Sequence, residues 1–70
     1  MRKADMLIEY IVSDIIGYIM EDNDIKMSDA MAILYGSTFF EKLCDVETGL
    51  YLDGSAYLYE LLREEQMAKI

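Results

Sequence analysis

Between residues 4 and 21 the apolar positions Met6, Leu7, Ile8, Ile11, Val12, Ile15, Ile16, Ile19 and Met20 recur at spacings of three and four. That period predicts an amphipathic helix of about five turns. At ~100° per residue, Leu7, Tyr18, Ile11, Ile15, Ile8, Ile19 and Val12 fill an arc of about 140°, and Ile16 widens it. Asp5, Glu9, Ser13, Asp14, Gly17 and Glu21 mostly take the other side. Isoleucine and valine are weak helix formers, so a strand competes, but the length and the period favour the helix. The apolar arc is wide for a small fold. Either this helix is the central element, or part of its apolar face meets another chain.

Glu21-Asp22-Asn23-Asp24 ends the helix, and acids at that end oppose the helix dipole, which predicts fraying. Ile25 and Met27 return to the core. Ser28 is a candidate N-cap for a second, short helix carrying Ala30, Met31, Ile33, Leu34 and Tyr35. Gly36 is placed just past its end, in the left-handed conformation that glycine adopts without strain. Thr38 followed by Glu41 reads as a capping box, with Ser37 or Thr38 as the cap, and opens a third helix bearing Phe39, Phe40, Leu43 and Cys44. Leu50-Tyr51-Leu52 lies between Gly49 and Asp53-Gly54. It predicts an extended segment with Leu50 and Leu52 turned inward and Tyr51 outward. Asp53 or Ser55 caps the last helix, whose inner side reads Tyr57, Leu58, Leu61, Leu62 and Ala68.

The expected fold is therefore all-α: one domain over 1–70, a compact bundle of three to four helices around the long N-terminal helix. The expected core is Leu7, Ile8, Ile11, Val12, Ile15, Ile19, Met31, Leu34, Phe39, Phe40, Leu43, Leu58, Leu61 and Leu62.

Composition narrows what such a bundle can do. Seventy residues carry six Lys+Arg against fourteen Asp+Glu, a net charge of −8, with one Cys and no His. The single Cys44 excludes an intrachain disulfide and fits a reducing cytoplasm. Lack of His excludes Ser-His-Asp and Cys-His catalysis and the usual zinc sites. Asp5, Glu9 and Asp14 break the first apolar run well short of the roughly 18 apolar residues a membrane span needs. A domain this small gains little from one core, so helix packing and self-association are its available supports.

Candidate chemistry is sparse. Asp22-Asn23-Asp24 opens like a calcium loop, but Met27 and Ile33 stand where that loop needs Gly and Glu. Residues 28–45 have the outline of a helix-turn-helix, with Ala32 and Gly36 four apart. Lys42 is the one cation in the helix that would read DNA, and phosphate contacts need several. Cys44, among Glu41, Asp45 and Glu47, sits in a field that raises a thiol pKa, and reads as a small buried apolar residue. Fourteen carboxylates make chance pairs abundant, and no phosphate loop accompanies them. The expectation is no enzyme, no cofactor and no metal.

The six tyrosines are more informative. Tyrosine joins apolar area to a polar tip and is enriched at interface hot spots. Tyr57 and Tyr59 lie about 200° apart on a helix, so both cannot face one core. Tyr57 is assigned to the core and Tyr59 to the surface. Tyr51, Tyr59, Ile16 and Met20 are the candidate partner-binding residues.

The blocks Leu34-Tyr35-Gly36-Ser37-Thr38-Phe39-Phe40-Glu41-Lys42-Leu43, Glu47-Thr48-Gly49-Leu50-Tyr51 and Ser55-Ala56-Tyr57-Leu58-Tyr59-Glu60-Leu61-Leu62 resemble a family of small uncharacterised bacterial proteins, a domain of unknown function of about this length. Such proteins are often encoded beside ADP-ribosyltransferase-like or other toxin-like genes. The resemblance spans residues 28–62 and implies an accessory or antitoxin-like role, with no catalytic residues.

The expected function is an acidic cytoplasmic protein–protein interaction module that binds a protein partner and itself, with no nucleic acid and no membrane. Its negative charge would steer it onto a basic partner. The alternatives are a helix-turn-helix DNA-binding regulator and a homodimeric structural protein with no other partner.

Overall fold

A computed structural model describes residues 2–68 of the chain. Four α-helices pack together, α1 (Lys3–Asn23), α2 (Met27–Tyr35), α3 (Thr38–Cys44) and α4 (Ser55–Ala68), with two single 3-10 turns at Val46–Thr48 and Leu50–Leu52. No strand occurs among the described residues. The fold is the expected helical bundle built on a long N-terminal helix. Helix α1 packs against α2, α4 and the Leu50–Leu52 turn, while α3 bridges α4 and that turn.

The core is assembled from every helix. Ile15 of α1, Leu34 of α2, Leu43 of α3 and Leu58 and Leu62 of α4 are the largest fully buried side chains. Ile11, Ile15 and Ile19 hold the centre as their period requires. Ile8, Val12, Met31, Phe40 and Leu61 are only half-buried at its edge, and Leu7 is half-buried apart from it. Ile16, Ala30 and Tyr59 join the buried set instead. Ser37 is buried as well, with its hydroxyl donating to the Leu34 carbonyl at 2.6 Å.

Helix α1 ends at Asn23, inside the acidic cluster, and is closed there. Asp24 is left-handed (φ 51°, ψ 51°) and its N–H bonds the Met20 carbonyl. Aspartate tolerates that conformation better than most residues. The Asn23 side-chain amide donates to the Ile19 carbonyl at 3.0 Å. Two further caps differ from expectation. Lys26, with no side-chain bond, precedes α2, so Ser28 lies within the first turn and is not the cap. Gly36 is right-handed (φ −86°, ψ 0°), and its N–H still bonds the Ala32 carbonyl, so the helical path continues one residue further than a left-handed exit would allow.

Residues 50–52 are not extended. Gly49, at φ 70°, reverses the chain, and bonds from Leu52 N–H to the Gly49 carbonyl (3.0 Å) and Asp53 N–H to the Leu50 carbonyl (2.9 Å) wind the tract into a turn. In a 3-10 turn successive side chains rotate by about 120° and do not alternate. Leu50 and Tyr51 therefore face inward together, and Leu52 is 71% exposed.

A candidate docking groove between α1 and α2

Helices α1 and α2 leave an open apolar groove of about 520 Å³ between them. On α1 its wall is the four-residue ladder Ile8, Val12, Ile16 and Met20, because side chains four apart stand on one face. Met27, Met31 and Tyr35 form the matching ladder on α2. Phe40 of α3 closes one end, its ring edge-on to Tyr35 with centroids 4.9 Å apart. Glu9 is the one charged residue in the lining, with Ser13 and Gly17 on the outer side of α1. Methionine is flexible and polarisable, which suits a surface that must adapt to an incoming side chain.

The groove unites two of the four sequence candidates. Ile16 forms part of its floor at 8% exposure, and Met20 stands half-buried in its wall. Tyr51 and Tyr59 line no part of it. Tyr51 is tucked against the core beneath the Leu50–Leu52 turn. The assignment of the α4 tyrosines is reversed: Tyr59 is 9% exposed and Tyr57 is 57% exposed. The cause is a polar partner on α1. The Tyr59 hydroxyl reaches the Asp22 carboxylate, which lets a phenol enter the core without an unmet hydrogen bond. Met27, Met31, Tyr35 and Phe40 were not among the sequence candidates. Their signal was the spacing of four from Met27 to Met31 to Tyr35, which marks a second apolar stripe on a helix too short to bury both faces.

A second, more polar hollow of about 450 Å³ lies between the C-terminal ends of α1 and α4. Tyr59 sits in its wall, with the Tyr18 ring centroid 5.3 Å away and the Arg63 guanidinium 5.9 Å from its ring centroid. Burial, then the hydrogen bond to Asp22 and its negative charge, push the Tyr59 phenol up to about 12. Such a phenol stays protonated at neutral pH, and its hydroxyl ties α4 to α1 through Asp22.

Cys44 is exposed, which corrects its expected place in the core. It ends α3, where the helix turns away from the interior into Asp45. The burial its sulfur does have raises the thiol pKa, which favours the protonated thiol over the thiolate.

The α2–α3 corner keeps the outline of a helix-turn-helix, but α3 has seven residues, buries Phe39 and Leu43, and carries Lys42 as its one cation. No helix among the described residues is long and apolar enough to cross a membrane. No family model, curated protein or solved structure matches the chain.

Proposed function

We propose that this chain is a non-catalytic protein–protein interaction module whose docking surface is the α1–α2 groove and the side of α1 next to it. The occupant is a helix of another polypeptide, laid with its apolar face into the groove. The observation that carries this reading is an open, methionine-lined groove with a single charge, in a chain whose core is already filled elsewhere. An exposed apolar surface of that kind marks a binding site more often than a defect of packing. The groove's α1 wall spans Ile8 to Met20, about 18 Å at 1.5 Å per residue, which matches roughly three turns of a docked helix.

The role we propose is that of an accessory or antitoxin-like cytoplasmic partner. The net charge of −8 supports it, because an acidic exterior attracts a basic protein and repels nucleic acid. Affinity for such a partner falls as salt rises. The same charge weighs against the DNA-binding alternative.

A photoreactive benzophenone side chain placed at position 31 tests the docking reading. The expected product joins this chain to a helix of another polypeptide, either a second copy or a different protein. Cross-links confined to the chain's own residues, at any concentration and in lysate of the native host, overturn it.

A further inference from the structure

Beside the groove, α1 carries a second stripe. Met6, Tyr10, Ser13, Gly17 and Met20 follow one another at alternating spacings of four and three, and along the sequence the same rhythm reaches Lys3, the first residue of the helix, and Asp24, the left-handed residue that caps it. The repeat averages about 3.5 residues, the period of a seam between two helices. Every member is exposed or half-exposed; Met6 is 49% and Tyr10 69% exposed. Gly17 is the telling member. Glycine weakens a helix interior, and a Cβ at position 17 would meet nothing within 4 Å. Packing within this chain therefore gives no reason for a bare backbone there.

Reversed about a point between Ser13 and Asp14, the stripe matches itself to within one residue. Met6 falls opposite Met20, Tyr10 opposite Gly17, and Lys3 opposite Asp24. A large ring meets a bare backbone, methionine meets methionine, and a cation meets an anion. A parallel arrangement keeps only the methionine pairs, and sets Lys3 on Lys3, Tyr10 on Tyr10 and Gly17 on Gly17.

We infer that the occupant of this face is a second copy of the chain: two α1 helices pair antiparallel about a two-fold axis near Ser13, each placing Tyr10 over the other's Gly17. A contact that uses the same patch twice closes on itself and stops at the dimer. The antiparallel arrangement also opposes the two helix dipoles favourably. The inference rests on the docking reading, because Ser13, Gly17 and Met20 belong both to the groove's lining and to the stripe. It adds a sign. Two chains of charge −8 repel, so salt tightens this dimer, whereas it loosens a complex with a basic partner.

Sedimentation of the full chain, from micromolar to millimolar concentration, tests the pairing. The wild type is expected to dimerise, more tightly as salt is added. Gly17→Leu fills the hollow that the partner's Tyr10 needs, at a position where a Cβ meets nothing of its own chain within 4 Å, and should weaken the dimer by about tenfold or more, with helical circular dichroism retained. Adding Tyr10→Ala to Gly17→Leu restores room across the axis and should recover the dimer. A monomeric wild type, or a Gly17→Leu chain that dimerises as well as wild type, overturns the pairing. If the wild type is monomeric but position 31 cross-links to a different protein, the self-pairing falls and the docking reading stands. If the wild type is monomeric and position 31 cross-links only within its own chain, both fall.

Discussion

The Tyr59 hydroxyl donates to the Asp22 carboxylate at 2.5 Å, tying the middle of α4 to the last turn of α1. The bond lets Tyr59 fill the space between Tyr18 and Arg63 with its polar atom satisfied. Tyr59→Phe keeps the ring and removes the bond, at a cost of about 1 kcal/mol, since Asp22 itself is open to water. Tyr59→Ala removes the ring as well and should cost about 3–5 kcal/mol, the range for a large aromatic taken from a core. Thermal or urea melts of the two variants read the difference directly.

The same contact gives the protein a defined alkaline limb. The phenol lies at about 12 in the folded chain against 10 ordinarily, so the folded state holds that proton more tightly than the unfolded one. Its contribution is complete below pH 10 and is lost as pH rises from 10 towards 12. Stability measured from neutral pH upward should fall more steeply in that window for wild type than for Tyr59→Phe. Parallel curves would show that the phenol titrates no differently in the folded and unfolded chains.

Ile15 is fully buried where α1 meets the rest of the bundle. Ile15→Asp places a charge there with no partner. That costs several kcal/mol against a total stability of about 5–15 kcal/mol for a domain, and less for one this small. The expected outcome is loss of the cooperative melt and of most helical circular dichroism. A folded Ile15→Asp protein would show that α1 is not the central element.

The first turn of α3 is held from two directions. Glu65 of α4 accepts from Thr38 N–H at 2.9 Å and from Phe39 N–H at 2.7 Å, and Ser37 Oγ accepts from Phe40 N–H at 3.1 Å. With Ser37 as the cap, Glu41 falls one position beyond the place a capping box requires, and a carboxylate from another helix takes over. Its negative charge also suits the positive end of the helix dipole. Glu65→Ala should cost about 1–2 kcal/mol and Ser37→Ala about 1 kcal/mol, while Glu65→Gln falls between wild type and Glu65→Ala. The losses should not add, because the three bonds share one turn. Urea midpoints with unchanged slopes check this.

What the sequence could announce, and what it could not, follows from the range of the interactions. The helical period of α1 is a local property, and Ile11, Ile15 and Ile19 are buried as it requires. The choice between Tyr57 and Tyr59 is not local. Either could face inward by helix geometry alone, and the deciding acceptor, Asp22, lies 37 residues away. Glu65 likewise caps a helix whose first turn is 26 and 27 residues distant, and reads in sequence as one more surface acid. The Leu50–Leu52 turn depends on the left-handed Gly49 and on Thr48, whose hydroxyl reaches the Lys42 and Asp45 carbonyls, and not on the apolar residues themselves. Half of the groove was legible, because Ile16 and Met20 widen the arc of α1. The other half needed α2 to be set beside it.

Gly17 separates the needs of the fold from those of a partner. It lies within α1, where glycine is less favourable than alanine by about 0.5–1 kcal/mol. A Cβ at that position meets open space, and φ is not in the left-handed range that would demand glycine. Gly17→Ala should therefore stabilise the isolated chain by about 0.5–1 kcal/mol. For a domain of 60–100 residues that corresponds to a rise of roughly 2–8 °C in Tm. The gain should be read at the lowest workable protein concentration, where association contributes least. At higher concentration a small methyl between the two α1 helices should reduce the concentration dependence of Tm. A Gly17→Ala chain that melts below wild type even when dilute would mean that α1 needs a bare backbone for its own packing, and the glycine would no longer point outward to a partner.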